Sequence, residues 1–344
     1  MAVMTIQCWA LTSLLVFAES DFDLMDAPDK AKDEPFTEVP FTAEESEPVL
    51  DRTQQTVYNV VNGSSKWFDS FFGSSNAQQS ENVSQGSLTL GARWDERDGI
   101  DPIGRMKARI PLNALRERTR LVLGRGNVDD FVDGNADDAG HSLPSQFNDF
   151  EDDEWLLGVG YSKEGDVSKG FDVDVGVKVT APLEPYIRTT YRWNYNFNDA
   201  VLWQLRPRAF WQSQRGPGIS INSVLDYAVN PAWLLRSWII LSAEEEIDGL
   251  GWRNDFIAYQ SLTNKTALSY NLFAYGETEN DVKLQDYGFE LRYRRRVSRD
   301  YLFMELSTSI SWPRFLIDEV RESNLGVGLT FEMQFGDWPG RKQN

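Results

Sequence analysis

From Asn324 to Phe335 the chain alternates without a break. Leu325, Val327, Leu329, Phe331, Met333 and Phe335 stand at every second position, with Asn324, Gly326, Gly328, Thr330, Glu332 and Gln334 between them. A period of two sends successive side chains to opposite faces of an extended strand. One face is therefore wholly apolar and the other polar or small. The run also exceeds the roughly 9–11 residues that a tilted strand needs to cross a bilayer. Its apolar face needs a protein core or lipid, and this run alone does not choose between them.

The rest of the chain repeats the pattern. From Ser87 onward, alternating runs separated by turn-rich breaks fall at about 87–96, 104–112, 118–125, 154–162, 170–180, 186–196, 200–212, 218–228, 233–243, 251–261, 266–275, 285–295, 301–312 and 324–335. The cleanest sets Phe171, Val173, Val175, Val177 and Val179 against Asp172, Asp174, Gly176, Lys178 and Thr180. Large aromatics stand near the run ends, at Trp94, Trp155, Tyr161, Trp193, Trp203, Trp211, Trp233, Trp252 and Trp312. That placement matches the two aromatic girdles of a membrane barrel. Strand edges cannot hydrogen-bond to lipid, so such a sheet must close on itself.

The expected fold is thus all-β, a closed antiparallel transmembrane barrel of about fourteen strands over residues 87–336. Twelve strands stay open as a count, because the break at Ala181–Glu184 is tight for the side of the barrel it falls on. The breaks alternate short and long, as barrel turns and loops do. Two features count against the pattern. Pro207 lies inside a good run, where it reads as a bulge or bend, and the run from Gly251 to Ser261 is ambiguous in phase.

The last run is also similar to the C-terminal assembly signal of bacterial outer-membrane β-barrel proteins, carried here by Gly326, Gly328, Phe331, Met333 and the closing Phe335. The chain departs from that pattern by continuing through residues 337–344. The resemblance implies a Gram-negative outer membrane, contact with its lipid, and handling by the barrel-assembly machinery; it points to no one characterised family. Residues 1–18 form an apolar run ending in Val16, Phe17 and Ala18, which reads as a cleaved signal peptide although no basic residue precedes it. Cleavage would remove Cys8, the one cysteine, and with it any thiol or thiolate-metal chemistry.

Composition narrows the function. A net charge of −19 argues against a nucleic-acid partner, since phosphates would meet no general excess of base. A mean hydropathy of −0.45 says little, because a barrel with a polar interior averages its two faces. The break from 126 to 153 holds nine acids and no Lys or Arg. Counted from Asp129, it matches a calcium loop at Asp133 and Gly134, but Phe131 and Gly140 stand where oxygen ligands belong. A solvated acidic loop is the expectation. His141, the one histidine, lies in that loop rather than on a rigid wall, so no catalytic residue, enzyme activity, metal or cofactor is expected.

Charge on the runs is more informative. Arg105, Lys107 and Arg109 share a phase, as do Arg118 and Arg120, Arg188 and Arg192, Arg206 and Arg208, and Arg292 and Arg294. A charge facing lipid at the midplane costs about 2–4 kcal/mol, so these bases should face the lumen. Asp172, Asp174, Asp226, Glu290, Glu305 and Glu332 can answer them there. Either a structural ion network fills a closed lumen or a basic wall lines a passive channel for small polar or anionic solutes. Finally, residues 19–86 are acidic and proline-bearing, which predicts a largely disordered extension in the periplasm. Within it, 49–61 and 65–72 could form short helices, the second presenting Trp67, Phe68, Phe71 and Phe72. That cluster suits packing at the barrel mouth, a plug, or docking of a periplasmic partner.

Overall fold

The structure is a computed structural model that describes Phe68, Phe71 and residues 85–112, 119–127, 153–166, 169–245, 247 and 249–336. Among them run fourteen strands: β1 (Gln85–Asp95), β2 (Gly99–Pro111), β3 (Thr119–Asn127), β4 (Asp153–Asp166), β5 (Lys169–Val179), β6 (Glu184–Asn198), β7 (Val201–Gln212), β8 (Gly216–Asn230), β9 (Trp233–Glu244), β10 (Gly251–Thr263), β11 (Thr266–Glu277), β12 (Asp286–Arg296), β13 (Leu302–Ser311) and β14 (Asn324–Gly336). Each pairs antiparallel with the next, and β1 pairs with β14, closing the barrel. Among the described residues no helix is long and apolar enough to cross a membrane.

Polarity is inverted relative to a soluble sheet. On β14 the apolar series faces out, with Leu329 43% and Phe331 45% exposed, while Glu332 on the opposite face is 2% exposed. The same division holds on β5, where Phe171, Val175 and Val179 are exposed and Asp172 and Asp174 are buried. An apolar outside around a polar inside is a surface made for lipid. Outward Trp94, Trp155, Tyr161 and Trp211 are exposed near the strand ends, and Tyr287 stacks on Trp312 with ring centroids 5.4 Å apart. On the outer face the Trp203 indole N–H donates to the Ser223 hydroxyl at 3.0 Å, which keeps that donor satisfied away from water.

The barrel has two unlike ends. Gln85 and Gly336 meet at one, here called the terminal end, where the connections 199–200, 231–232 and 264–265 are tight. At the loop end the connections 278–285 and 312–323 are longer, and 128–152 joins β3 to β4. The break at Ala181–Glu184 is a true turn at the loop end, with a cis Ala181–Pro182 peptide, so both strands of that hairpin stand and the barrel count is fourteen.

At Pro207 the bulge, one of the two expected alternatives, is absent. Nor is there a slip: β6 and β7 keep one register on both sides of Pro207, from Thr190↔Arg208 to Trp193↔Leu205, with only the intervening pairs lost. Pro207 removes one ladder donor toward β6, while its pairing with Ile221 of β8 is retained. The helix-like run 49–61, the acidic loop with Asp129 and His141, Arg118, Trp67, Phe72 and the tail 337–344 lie outside the described residues.

Candidate functional site

The candidate site is the inner wall. Cross-strand partners share a face, and the register therefore carries Arg105, Lys107 and Arg109 of β2 to the inside along with Ser87, Thr89, Gly91 and Arg93 of β1. It does the same for Arg120 of β3, Asp172 and Asp174 of β5, Arg188 and Arg192 of β6, Arg206 and Arg208 of β7, and Glu290, Arg292 and Arg294 of β12.

Two ion clusters organise this wall. Across β3, β5 and β6, Asp174 takes Arg120 Nη2 at 2.8 Å and Arg188 Nε at 2.9 Å, while Asp172 takes Arg192 Nε at 2.7 Å and Arg120 Nη1 at 3.5 Å. Room for it comes from glycines. A Cβ on Gly160 would lie 2.8 Å from Arg120 Nε, and one on Gly170 would lie 2.8 Å from Arg192 Nη2. Across β12, β13 and β14, Arg292 meets Glu290 at 2.7 Å, and Arg294 meets Glu332 at 2.7 Å and Glu305 at 3.1 Å. Beside these, Arg206 donates to Gln204 at 2.9 Å and Arg208 to Thr190 at 3.1 Å.

Three further pairs were not singled out from sequence, although Asp226 was named there among the acids. Arg236 pairs with Asp226, Arg253 with Asp255, and Lys178 with Glu184. The signal for the first was present in the hairpin itself: Asp226 lies four residues before Asn230 and Arg236 three after Trp233, directly opposite once the bulge near Asn230 is counted. Arg253 and Asp255 were hidden by the mixed phase of β10, whose inner face continues into apolar Ile257 and Tyr259.

The inner wall has a filled side and a more open one. On β8–β11 the inward Trp238, Ile240, Ile257, Asp226, Asp255 and Asn271 are all buried, and the Trp238 indole N–H donates to Asn222 at 2.8 Å. Along β13, β14 and β1 the inward residues include a small series set among the charged ones, with Ser307, Ser309, Gly326, Gly328, Thr330, Gly91 and Ser87 around the wall. Next to them Lys107 is exposed inside the barrel, and Arg105 and Arg109 are half-buried. Water therefore reaches the basic strand β2.

At the terminal end the filled side is apolar. Inward Leu202, Ala228, Leu234, Ile257, Tyr259, Ala267 and Phe303, drawn from β7 to β13, surround helical Phe68 and Phe71, both 1% exposed. Phe68 stacks on Tyr259 with centroids 5.4 Å apart, and Phe71 meets Phe303 edge-on at 5.5 Å. Arg296 lies 5.8 Å from the Phe71 ring, and Arg294 lies 4.5 Å from that of Phe303. Full burial of one such phenyl ring contributes about 1.5–3 kcal/mol.

No family model and no curated protein sequence matches the chain. Among solved structures it is similar to the KdgM porin, at 6% identity over 72% of this chain and 99% of that one, with a TM-score of 0.35. It is likewise similar to an anion-selective porin from Comamonas acidovorans, at 8% identity over 73% of this chain and 98% of that one, with a TM-score of 0.44. The outer membrane channel DcaP of Acinetobacter baumannii gives 8% identity over 75% of this chain and 99% of that one, with a TM-score of 0.45. Likeness at this level says nothing about a solute.

Proposed function

We propose that this barrel is a passive channel of a bacterial outer membrane that passes small anionic or polar solutes, with its terminal end in the periplasm. The observation that carries the reading is the inner face of β2, where Lys107 is exposed and Arg105 and Arg109 are half-buried, next to the small residues Ser87 and Gly91 of β1. Small side chains leave width, and the adjacent bases favour anions in that width. The ion clusters across β3–β6 and β12–β14 hold the wall rigid.

Purified protein in a planar bilayer should carry current, with a reversal potential in a salt gradient that marks anion preference. Arg105→Glu together with Lys107→Glu should turn that preference toward cations. Silence of both the full chain and a variant lacking residues 19–80 would overturn the channel reading.

A second reading is a closed barrel whose extension binds a periplasmic partner. The burial of Phe68 and Phe71 in the wall favours it. Under it, current stays absent in every variant while the extension captures protein from the periplasm.

A further inference from the structure

The inner wall of a water-filled barrel is ordinarily polar, because an apolar patch there gains nothing from facing water. At the terminal end of β7–β13 this wall is apolar over a continuous area, with Leu202, Leu234, Ile257, Tyr259 and Phe303 as its larger members. The occupant is part of the same chain: Phe68 and Phe71, one helical turn apart, seat their rings on Tyr259 and Phe303. Arg296 flanks Phe71 and Arg236 lies 5.5 Å from the Tyr259 ring, and each is answered by a carboxylate, Asp300 and Asp226, so the border of the seat carries no net charge.

The seat is centred on β9–β11, across the barrel from β2 and β3, and reaches β13 at Phe303. Among the described residues, Lys107 of β2 is exposed on the inner face and Arg105 and Arg109 are half-buried, so water reaches the basic wall across from the seat. We infer that the seated Phe68 and Phe71 are selectivity determinants: they close the neutral, apolar side of the terminal mouth and confine passing solutes to the basic wall. The inference rests on the channel reading above and adds to it the means by which a lumen with acids and bases of similar number discriminates between ions.

The test uses the full chain in planar bilayers under a salt gradient. Phe68→Ala with Phe71→Ala should raise single-channel conductance at least about twofold and bring the reversal potential closer to zero, because a second, uncharged lane opens. A bridged form supplies the reverse arm. Phe71→Cys with Phe303→Cys, in a Cys8→Ser background, is joined by a short bis-methanethiosulfonate, each cysteine thiolate displacing one methanesulfinate, and should keep the low conductance and the anion preference of the unmodified chain. An unboiled-gel shift verifies that each variant is a closed barrel.

Current that is the same in size and selectivity for the alanine, bridged and unmodified proteins overturns the inference and leaves the channel standing. Higher conductance with unchanged selectivity also overturns it, reducing the two rings to an obstruction. No current from any of them overturns the channel reading and the inference together, a result distinguishable from the first two. Failure of the two cysteines to bridge in a verified barrel shows that the seat is empty in the membrane and likewise overturns it.

Discussion

The guanidinium of Arg236 holds the Asp226 carboxylate at two points, Nε to Oδ1 at 2.6 Å and Nη2 to Oδ2 at 2.9 Å, across the β8–β9 pair. The two residues are direct register partners on the inner face, and Asp226 is fully buried. A forked contact of this kind fixes both planes at once. Because a one-residue slip of either strand would turn its member of the pair to the lipid face, the pair also pins the register of the hairpin.

Breaking one member of such a pair strands the other charge. Asp226→Asn or Arg236→Ala is therefore expected to lower stability by about 3–5 kcal/mol. The exchange Asp226→Arg with Arg236→Asp should recover part of that loss. Denaturant unfolding in detergent, followed by Trp fluorescence, measures all three. Equal stability of the single variants and the parent would show that the contact is not formed.

The clearest runs were legible as strands because lipid and lumen impose opposite demands on alternate residues. Phe171 to Val179 and Leu325 to Phe335 obey that rule without exception. The ambiguity of Gly251–Ser261 has a physical cause in the finished barrel. Its inner face begins with Arg253 and Asp255, then turns apolar at Ile257 and Tyr259 to receive Phe68, while outer-face Gln260 accepts a hydrogen bond from the Tyr270 hydroxyl at 3.1 Å. Alternation fails where the wall must bind another part of the chain. The pairing of bases with acids was not legible either, since it depends on which strands are neighbours and how far each is staggered. Asp174 draws Arg120 from β3 and Arg188 from β6, and neither spacing is visible along the chain.

Asp174 also ties stability to selectivity. Removing its charge by Asp174→Asn leaves Arg120 Nη2 and Arg188 Nε facing a neutral amide, at a cost of about 1.5–3 kcal/mol for a hydrogen bond to a charged group. The same change adds net positive charge to the wall beside β2. A lower unfolding midpoint together with a stronger anion preference is expected. A drop in stability with selectivity unchanged would place this cluster off the solute path.

The loop from Trp312 to Ser323 responds to pH through Glu319. Its carboxylate is held below the ordinary range, first by accepting the Phe315 N–H at 2.8 Å, then the Leu316 N–H at 3.3 Å, with Arg97 2.9 Å away. A depressed value means that the charged form is the one favoured in the folded loop. The restraint is complete above the ordinary carboxylate range and is lost as pH falls through the lowered value. Amide exchange at Phe315 and Leu316, corrected for intrinsic rates, should accelerate in acid. In Glu319→Gln it should be fast at neutral pH and lose most of that pH dependence. Slow exchange in the variant at neutral pH would remove Glu319 as the pin.

The seam where the barrel closes depends on Gly86. It is the register partner of Phe335, and a Cβ there would collide with the Phe335 ring and lie 2.8 Å from the Lys107 carbonyl oxygen. The ring thus covers the glycine on the outer face and seals the last contact between β1 and β14. Gly86→Val must displace the ring or part the strands, an overpacking cost of about 1–3 kcal/mol. Refolding into detergent should then yield less of the fast-migrating species on unboiled gels. Adding Phe335→Ala removes the colliding ring and should restore closure in that assay. In cells the double variant should remain poorly assembled if Phe335 is also read by the assembly machinery. Recovery in both settings would confine Phe335 to packing at the seam, and recovery in neither would mean that the Lys107 carbonyl, rather than the ring, sets the limit at Gly86.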